Sequence, residues 1–399
     1  MRRRVFVNGV GAFTALGASW PQTRAALADG ASAVRPVRAF DATGFPSTQA
    51  AAIDRVGPGC GDRRLAFALP AAREAWTAAG LGSTHGDRIG VFVGAETGRP
   101  DFQTLVALAR ESARNQELDE ARLLKALQAR ATGLDPRQVS PAAVAAALAA
   151  EFKARGPCAT VSLACASGAA AVVEAARSLR AGECDVALCG GAGADVDPLL
   201  LAGFGLLGAL SASGISRPFD RRRDGFVLGE GAAMSVLSCR PASVELAGIG
   251  RTLDAHHITA PTPDGSGAVR AMRLALADAG RESVDVIQAH GTSTPLNDAV
   301  EARALHSVFG ERLASARVSS IKGALGHTIA AAGALGMLAG VEAVASGTVL
   351  PTAGLEQPDP ECALFHVTGR AIAMRVEAAL VNAFAFGGAN CSLVLARPE

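Results

Sequence analysis

The feature that most constrains the fold of this chain is a set of segments that occurs twice in the same order. Each set contains an apolar strand pattern with a glycine turn, an alanine-rich helical pattern with a second strand, a strand that leads to a small-residue helix, and a glycine-rich apolar segment. The matched ranges are 4–13 with 244–251, 66–95 with 268–290, 160–165 with 318–322, and 225–237 with 383–395. Four matches in one order predict a duplicated α/β unit, although any α/β protein repeats some glycine turns.

The strands in these segments are apolar on both sides and alternate with helical patterns. Such strands are typical of mostly parallel sheets that are covered by helices. We therefore predict an α/β fold with two halves, residues 1–241 and 242–399. The chain is 49% hydrophobic, which is ample for the cores of both halves.

The first half contains an additional segment, residues 101–155, that has no counterpart in the second. Its leucines recur at helical spacing among charged residues, so we expect an amphipathic helical excursion that Pro136 and Pro141 interrupt. Two interpretations stay open at this point, namely packing against the core and a cap or dimer surface. The leucines are Leu105, Leu108, Leu123, Leu124 and Leu127.

Composition narrows the class of function. The formal net charge is +1 and aromatic residues make up 4%, which argues against nucleic-acid binding. The longest apolar runs, 199–210 and 328–341, are shorter than the roughly 18 residues that cross a bilayer, so no membrane contact is expected. The 8 cysteines form no CxxC pair and no metal-like spacing, which favours reduced thiols in the cytoplasm and no metal site.

Cys165 is the first candidate for chemistry, because it lies between an apolar strand and a helix of small residues. A thiol at a helix N-terminus faces the positive end of the helix dipole and free backbone N–H groups, so we expect a pKa below the free value of about 8.5. Its small neighbours would let a substrate approach. The other cysteines are interpreted as buried structural residues: Cys60, Cys158, Cys184, Cys189, Cys239, Cys362 and Cys391.

Two histidines are the next candidates. His290 ends a strand pattern, and ligands usually lie at the carboxyl ends of strands in α/β sheets. His327 lies in a turn before a second small-residue helix, and the duplication would place this turn opposite that of Cys165. A cysteine and two histidines in one pocket suit acyl transfer through a thioester.

Four motifs in order resemble those of the β-ketoacyl synthases of the type II, elongating kind, over essentially the whole chain. They are VSLACASG at 161–168, AHGTSTP at 289–295, KGALGH at 322–327 and FAFGGAN at 384–390. The resemblance implies the thiolase fold, in which two α/β halves stack as α-β-α-β-α layers, usually in a dimer. It also implies a decarboxylative Claisen condensation of an acyl thioester with malonyl-acyl carrier protein, without a cofactor of the enzyme's own.

The resemblance assigns a role to each matching residue. Cys165 would take the acyl chain, and the backbone N–H groups of Cys165 and Phe386 would form the oxyanion hole. His290 and His327 would donate hydrogen bonds to the thioester carbonyl of the extender. Lys322 and Glu301 would order the site without touching the reacting carbon.

The remaining implied roles concern substrate access and partners. Thr292 and Thr294 would bind the pantetheine arm. The expected partners are an acyl carrier protein and a second subunit, either a copy of the chain or a related ketosynthase or chain-length factor. The expected gating loop is Phe384, Ala385, Phe386, Gly387 and Gly388, with Ala385 where the family usually has glycine.

Carrier docking is less well defined, because Gly208 stands where the family often has a basic residue. Arg63 and Arg64 are candidates for a docking patch or for an ordinary solvated face.

Two alternatives to a catalytic ketosynthase stay open. A non-catalytic subunit of the chain-length-factor type would lack the nucleophilic cysteine, whereas Cys165 is present. A thiolase acting on acyl-CoA would need a second reactive cysteine, for which Cys391 is the candidate. Acyl chain length, pathway and the choice between homodimer and heterodimer stay open.

Overall fold

The computed structural model describes residues 3–56, 61–82, 84–100, 102–115, 117–130 and 138–398. Cys60 and Pro136, for which the sequence predicts structural roles, lie outside these ranges. The strands are β1 (Phe6–Thr14), β2 (Arg35–Pro36), β3 (Gln49–Ala51), β4 (Ile89–Gly94), β5 (Ala113–Arg114), β6 (Glu117–Leu118), β7 (Cys158–Val161), β8 (Val186–Ala194), β9 (Leu228–Ser238), β10 (Glu245–Leu253), β11 (Val286–Gln288), β12 (Arg317–Ser319), β13 (Thr348–Val349), β14 (Ile372–Ala373), β15 (Ala378–Phe384) and β16 (Ala389–Ala396).

The helices follow the alanine-rich patterns, and corresponding helices of the two halves end in the same way. The helix at 63–79 ends at Gly80, and the helix at 266–279 ends at Gly280, both in the left-handed conformation that glycine adopts without strain. The α-helices are α1 (Trp20–Ala28), α2 (Arg63–Ala79), α3 (Phe102–Ser112), α4 (Glu120–Ala129), α5 (Ala143–Glu151), α6 (Ser167–Ala181), α7 (Pro198–Leu206), α8 (Ser266–Ala279), α9 (Pro295–Phe309), α10 (Lys322–Leu325) and α11 (Ala332–Ser346).

The strand order confirms the duplication. In the first half the strands lie in the order β1-β9-β8-β4-β7, and in the second in the order β10-β16-β15-β11-β12. In each half, the first strand is therefore followed by the fifth, the fourth, the second and the third. The two sets join where β1 pairs with β10, through Phe6 and Glu245.

The prediction of mostly parallel sheets is wrong. In each half, two strand pairs are parallel and two are antiparallel, since β9 returns between β1 and β8, and β16 returns between β10 and β15. The strands of the parallel pairs, which lie farther from the junction, carry the functional turns at their carboxyl ends. The antiparallel strands lie next to the junction between the two halves.

The five predicted layers are present. Helices α6 and α11 pack on each other between the two sheets, α2 and α5 cover the first sheet, and α8 and α9 cover the second. The central layer is built from small residues, and a methyl group at Gly168 of α6 would lie 2.7 Å from the carbonyl oxygen of Ala330. Close approach of the two central helices therefore requires glycine at this position.

The apolar run near 328–341 belongs to this central layer. By length and composition the helical stretch Ile329–Ser346 could cross a membrane, and 89% of it is buried inside the protein. Its contacts with both sheets account for its apolar composition.

The additional segment of the first half divides into two parts. Helix α5 packs on α2 and β4, with Val144 and Leu148 buried, so this part belongs to the core. Helices α3 and α4 pack mainly on each other and are linked by the β5–β6 hairpin. Leu118 and Leu124 are exposed on this second part.

Candidate active site

Cys165 lies in a tight turn between β7 and α6. The turn is a single 3-10 turn, Ala164–Ala166, and the α-helix begins only at Ser167. Ala164 has φ = +46°, a left-handed conformation that costs a non-glycine residue energy. The Ser167 hydroxyl stabilises the turn, because it accepts a hydrogen bond from Leu163 N–H at 2.8 Å. Its one proton is within reach of both Ala164 C=O at 2.7 Å and Glu96 Oε1 at 2.8 Å, so these two acceptors share it.

The predicted direction of the Cys165 pKa is wrong. Burial of the thiol raises its pKa to about 12, because a thiolate loses solvation in this pocket. The positive charge of Lys322 and a hydrogen bond from the backbone N–H of Phe386 oppose the rise, whereas the carboxylates of Glu96 and Asp195 add to it. The resting nucleophile is therefore a thiol, and nearby donors must stabilise charge as it forms.

His290 follows β11 and is fixed through its backbone. Its N–H donates to Glu301 Oε1 at 2.8 Å, and its carbonyl accepts a hydrogen bond from Lys322 Nζ at 2.5 Å. The same Nζ lies 3.4 Å from His290 Nδ1. Lys322 and Glu301 thus hold the end of this strand from two sides.

The Glu301 carboxylate accepts hydrogen bonds from several N–H groups. Oε2 accepts from Gly291 N–H at 2.8 Å, and Oε1 also accepts from Asn382 Nδ2 at 3.1 Å. Burial raises the pKa of this carboxyl, and these donors lower it. Ser392 donates to Asn382 Oδ1 at 2.8 Å, which fixes the orientation of the amide.

The hydrogen bonds of His327 define its tautomer. Nδ1 accepts a hydrogen bond from Ile329 N–H at 3.2 Å, so the proton of the neutral ring is on Nε2. Nε2 is buried and has no hydrogen-bond partner among the described residues. A buried donor without a partner is costly, and it is available to a ligand that enters the pocket.

Both imidazoles are neutral and lie side by side. Their ring centroids are 5.7 Å apart with an interplanar angle of 80°. Burial lowers the pKa of each ring well below its ordinary value, and the charge of Lys322 lowers both further. Burial also lowers the pKa of Lys322, to about 8.

Cys165 and the histidines share one pocket. Cys165 belongs to an apolar cluster that includes Phe226 and Ile329, and the Phe226 ring lies 5.2 Å from that of His327. The turn of Cys165 also contacts the 3-10 turn that begins at Ile329. The structure therefore brings together the sulfur and both rings, which are far apart along the chain.

Thr292 and Thr294 lie beside this pocket, at the start of α9. Their hydroxyl groups are 2.9 Å apart, and Thr292 N–H donates to Asp298 Oδ1 at 3.0 Å. Asp298 is buried and also accepts from Ser293 N–H at 3.1 Å. This carboxylate fixes the loop that presents the two threonines.

The predicted gating loop connects β15 to β16. Gly387 and Gly388 both have φ near +80°, and a methyl group at Gly388 would meet Asp254 Cβ at 2.9 Å. The Gly387 N–H donates to Ile258 C=O at 2.7 Å. Ala385 is accommodated because it pairs with Ala389 in the hairpin, where glycine is not required.

Four residues of the site were not predicted from the sequence. Glu96 and Asp195 follow the carboxyl ends of β4 and β8, the general location that could have indicated them. Asn382 lies within an apolar segment and Phe226 follows the charged run 220–224, and neither context gives such a signal. Glu96 accepts hydrogen bonds from Ser167 Oγ at 2.8 Å and from Ser162 Oγ at 2.7 Å.

Three other expectations need correction. Arg64 is buried, and Arg63, whose side chain is 29% exposed, pairs with the buried Glu230 at 2.8 Å, so the two arginines do not form a solvated docking patch. The cysteines within the described ranges are free thiols, but Cys158 is exposed and Cys239 half-buried. Their positions near the surface do not fit the buried structural role that the sequence analysis gave them.

Cys391 does not share the environment of Cys165. It is buried in β16, and the charges that influence its pKa come from Arg251, Arg177 and Glu174. These charges differ from those that influence Cys165, so the structure offers no support for a thiolase-type pair of cysteines.

Comparison with known proteins agrees with this geometry. The family model described as the N-terminal domain of β-ketoacyl synthase matches residues 2–241, and that described as the C-terminal domain matches residues 243–356. The 3-oxoacyl-[acyl-carrier-protein] synthase 2 of Coxiella burnetii is 34% identical, with 99% of each chain covered. The tetracenomycin polyketide synthase ketoacyl synthase alpha subunit of Streptomyces glaucescens is 35% identical, over 100% of this chain and 98% of the relative.

Solved structures give the same result. The ishigamide ketosynthase/chain length factor matches with a TM-score of 0.86 and 33% identity over 100% of both chains. A β-ketoacyl synthase from Burkholderia phymatum matches with a TM-score of 0.85 and 31% identity, again over 100% of both chains. The chain therefore belongs to the β-ketoacyl synthase family. It is an acyltransferase of the elongating kind that serves fatty-acid or polyketide synthesis.

Proposed function

We propose that the protein condenses an acyl chain held on Cys165 with a malonyl-type extender held on an acyl carrier protein. The observation that carries the proposal is the convergence of one thiol and two neutral imidazoles, all three buried, with the rings 5.7 Å apart and the turn of Cys165 in contact with the turn that follows His327. The substrates would arrive on phosphopantetheine arms, and the enzyme would need no cofactor of its own.

The first half-reaction loads the acyl chain. Cys165 Sγ attacks the thioester carbonyl, a new carbon–sulfur bond forms, and the pantetheine thiol leaves with the proton that Cys165 gives up. The N–H groups of Cys165 and Phe386 stabilise the oxyanion of the tetrahedral intermediate. The hydrogen bond from Phe386 N–H to the Cys165 sulfur supports this role, because it places one donor at the nucleophile.

The second half-reaction extends the chain. Nε2–H of His327 and an N–H of His290 donate to the thioester carbonyl of the malonyl group, and carbon dioxide leaves as the enolate forms. The enolate carbon then attacks the acyl carbonyl on Cys165 and expels the thiolate, which gives a β-ketoacyl thioester. The partnerless Nε2 of His327 supports this step, since it is a donor without an acceptor in the resting site.

The supporting residues keep the donors in place. Glu301 and Lys322 hold the backbone of His290, and they do so without a contact to the reacting carbon in this scheme. Thr292 and Thr294 hydrogen-bond the pantetheine arm. The loop 384–388 moves to admit the chain, with Gly387 and Gly388 as its flexible points.

The partners are an acyl carrier protein and a second ketosynthase-type subunit. One solved neighbour, 26% identical with a TM-score of 0.88, is named as a type II PKS acyl-carrier protein in complex with its ketosynthase. Another, 25% identical with a TM-score of 0.81, is named as a ketosynthase in complex with its chain length factor. Strand β7 ends the sheet beside the nucleophile turn and offers an edge along which such a subunit could pair.

Intact-protein mass spectrometry with an acylated carrier protein tests the proposal. The wild-type chain gains the mass of the acyl group, and Cys165→Ala does not. The matched control is Cys391→Ala, which removes another buried thiol and still becomes acylated. Acylation of Cys165→Ala at the wild-type rate would refute the assignment of the nucleophile.

A further inference from the structure

A cavity of about 570 Å³ adjoins the turn of the nucleophile. It lies between the N-terminus of α2, the loop after β4 and the loop after β8. Glu96 lines it and is hydrogen-bonded to Ser167, two residues from Cys165. Phe40 and Val196 line it too, and they also contact the apolar cluster that contains Cys165.

Charged side chains form a large part of the cavity wall and are fixed in place. Arg99 pairs with Asp195 at 3.0 Å and with Asp197 at 2.8 Å. Arg63 pairs with Glu230 at 2.8 Å on another part of the wall. These ion pairs place fixed charges in a wall that is otherwise largely apolar, and they restrict its rearrangement around a ligand.

Two groups in this wall keep hydrogen-bonding capacity. The Glu96 carboxylate is half-buried and accepts two serine hydroxyls, whereas a carboxylate has about four acceptor positions. The side chain of Arg99 is 24% exposed, and its Nη1 makes a long contact of 3.4 Å with Thr97 C=O. Water or a polar ligand group can satisfy both.

A saturated acyl chain in this cavity would remove water from Glu96 and Arg99 and offer no hydrogen bond in return. Such desolvation is unfavourable for charged groups. A hydroxyl group on the chain could donate to Glu96 and a carbonyl group could accept from Arg99, so each would replace the water at one of the two groups. Phe40 and Val196 would pack on the hydrocarbon part of the chain.

We infer that this cavity receives the acyl chain of the Cys165 thioester and selects chains that carry hydroxyl or carbonyl groups over saturated chains of the same length. The inference rests on the proposed acyl-enzyme and adds its substrate class. We assign the selection of hydroxyl groups to Glu96, a hydrogen-bond acceptor that lies between the nucleophile turn and the cavity, and that of carbonyl groups to the donor Arg99.

The test measures the acylation rate of Cys165 by intact-protein mass spectrometry in the native assembly. The probes are decanoyl-pantetheine and its positional hydroxydecanoyl and oxodecanoyl counterparts. A hydrogen bond to a charged group changes a rate by about tenfold or more, so at least one oxygenated probe should load about tenfold faster than decanoyl. In Glu96→Leu the ratio for the hydroxydecanoyl probes, whose O–H groups donate to the carboxylate, should fall to near one, whereas a preference for an oxodecanoyl probe depends on Arg99 and should remain.

Two further variants complete the design. Glu96→Gln keeps an oxygen that accepts from one serine hydroxyl and offers an NH2 group to the other, but it loses the charge, so it should fold normally and show an intermediate ratio. Glu282→Leu alters an exposed carboxylate remote from the cavity and should keep the wild-type ratio.

The outcomes separate this inference from the proposed function. If no probe loads the wild-type protein, the acyl-enzyme itself is refuted, and the selection with it. If decanoyl loads as fast as every oxygenated probe, the acyl-enzyme stands and the selection is overturned. An equal loss for all probes in Glu96→Leu and Glu96→Gln would make Glu96 a brace of the nucleophile turn and overturn the selection as well.

Discussion

Replacement of His327 separates the two half-reactions. In the resting site its Nε2–H is buried without a partner among the described residues, and it becomes satisfied only when a carbonyl or enolate oxygen enters. Removal of one such donor to a developing oxyanion typically costs roughly 100- to 1,000-fold in rate, or about 2.7–4 kcal/mol. We therefore expect His327→Ala to slow malonyl decarboxylation by that factor, with a much smaller effect on acyl loading of Cys165.

The stability of the variant should change much less than its rate. A buried unpaired N–H costs about 1–3 kcal/mol, and His327→Ala removes that cost. The same change deprives Ile329 N–H of its acceptor and removes the ring that packs on Phe226, so the gain and the losses oppose each other. His327→Asn keeps an acceptor for Ile329 N–H and should be the more stable of the two variants.

The assays are carbon dioxide release from a malonyl thioester, acyl loading followed by mass spectrometry, and chemical denaturation of each variant. Equal losses in decarboxylation and loading would refute the donor role, since they would mean that His327 acts by positioning Cys165. Unchanged decarboxylation in His327→Ala would also refute the donor role of Nε2–H.

Two further predictions concern the groups behind the histidines. Burial lowers the pKa of Lys322 to about 8, so its stabilising positive charge is present below that pH and is lost above it. The rate of decarboxylation should therefore decline as the pH rises through about 8. If the same decline persists in Lys322→Met, it belongs to another group. In Glu301→Gln the amide can accept from only one side, so the Gly291 N–H should exchange faster with deuterium and decarboxylation should fall. The control is Glu342→Gln, because the Glu342 carboxylate accepts hydrogen bonds from side chains only, and this variant should leave the exchange of Gly291 N–H unchanged. If Gly291 N–H in Glu301→Gln exchanges as slowly as in the wild type, the hydrogen bond from Gly291 to Glu301 is contradicted.

The fold was largely predictable because duplication and hydrophobic pattern act along the chain. The ordered matches led to the two equivalent strand orders, and the small-residue runs led to the central helices. The antiparallel strands were missed, since an apolar strand looks the same whichever direction its neighbours take. The return of β9 and β16 to the middle of each set is a property of the three-dimensional connection.

The central residues of the site could be predicted from the sequence, whereas the direction of the Cys165 pKa could not. Local motifs and the resemblance led to Cys165, His290 and His327, which the structure places together. The direction of the Cys165 pKa depends on burial by residues from distant segments, including Phe226, and on the carboxylate of Glu96. None of these contributions is visible in the sequence around the cysteine.

The duplication also explains how the site is built, through a strained turn that occurs in both halves. Ala164 before α6 has φ = +46°, and Ile329 before α11 has φ = +44°, an unusual value for a β-branched residue. Such conformations cost of order 1–3 kcal/mol each, and the packed central helices that follow both turns can hold them in place. In the first half the turn presents the Cys165 sulfur, and in the second it directs the Ile329 N–H to Nδ1 of His327, which leaves Nε2–H free. The two turns contact each other across the centre of the molecule, so the nucleophile and the donor are positioned by equivalent strained elements that face one pocket.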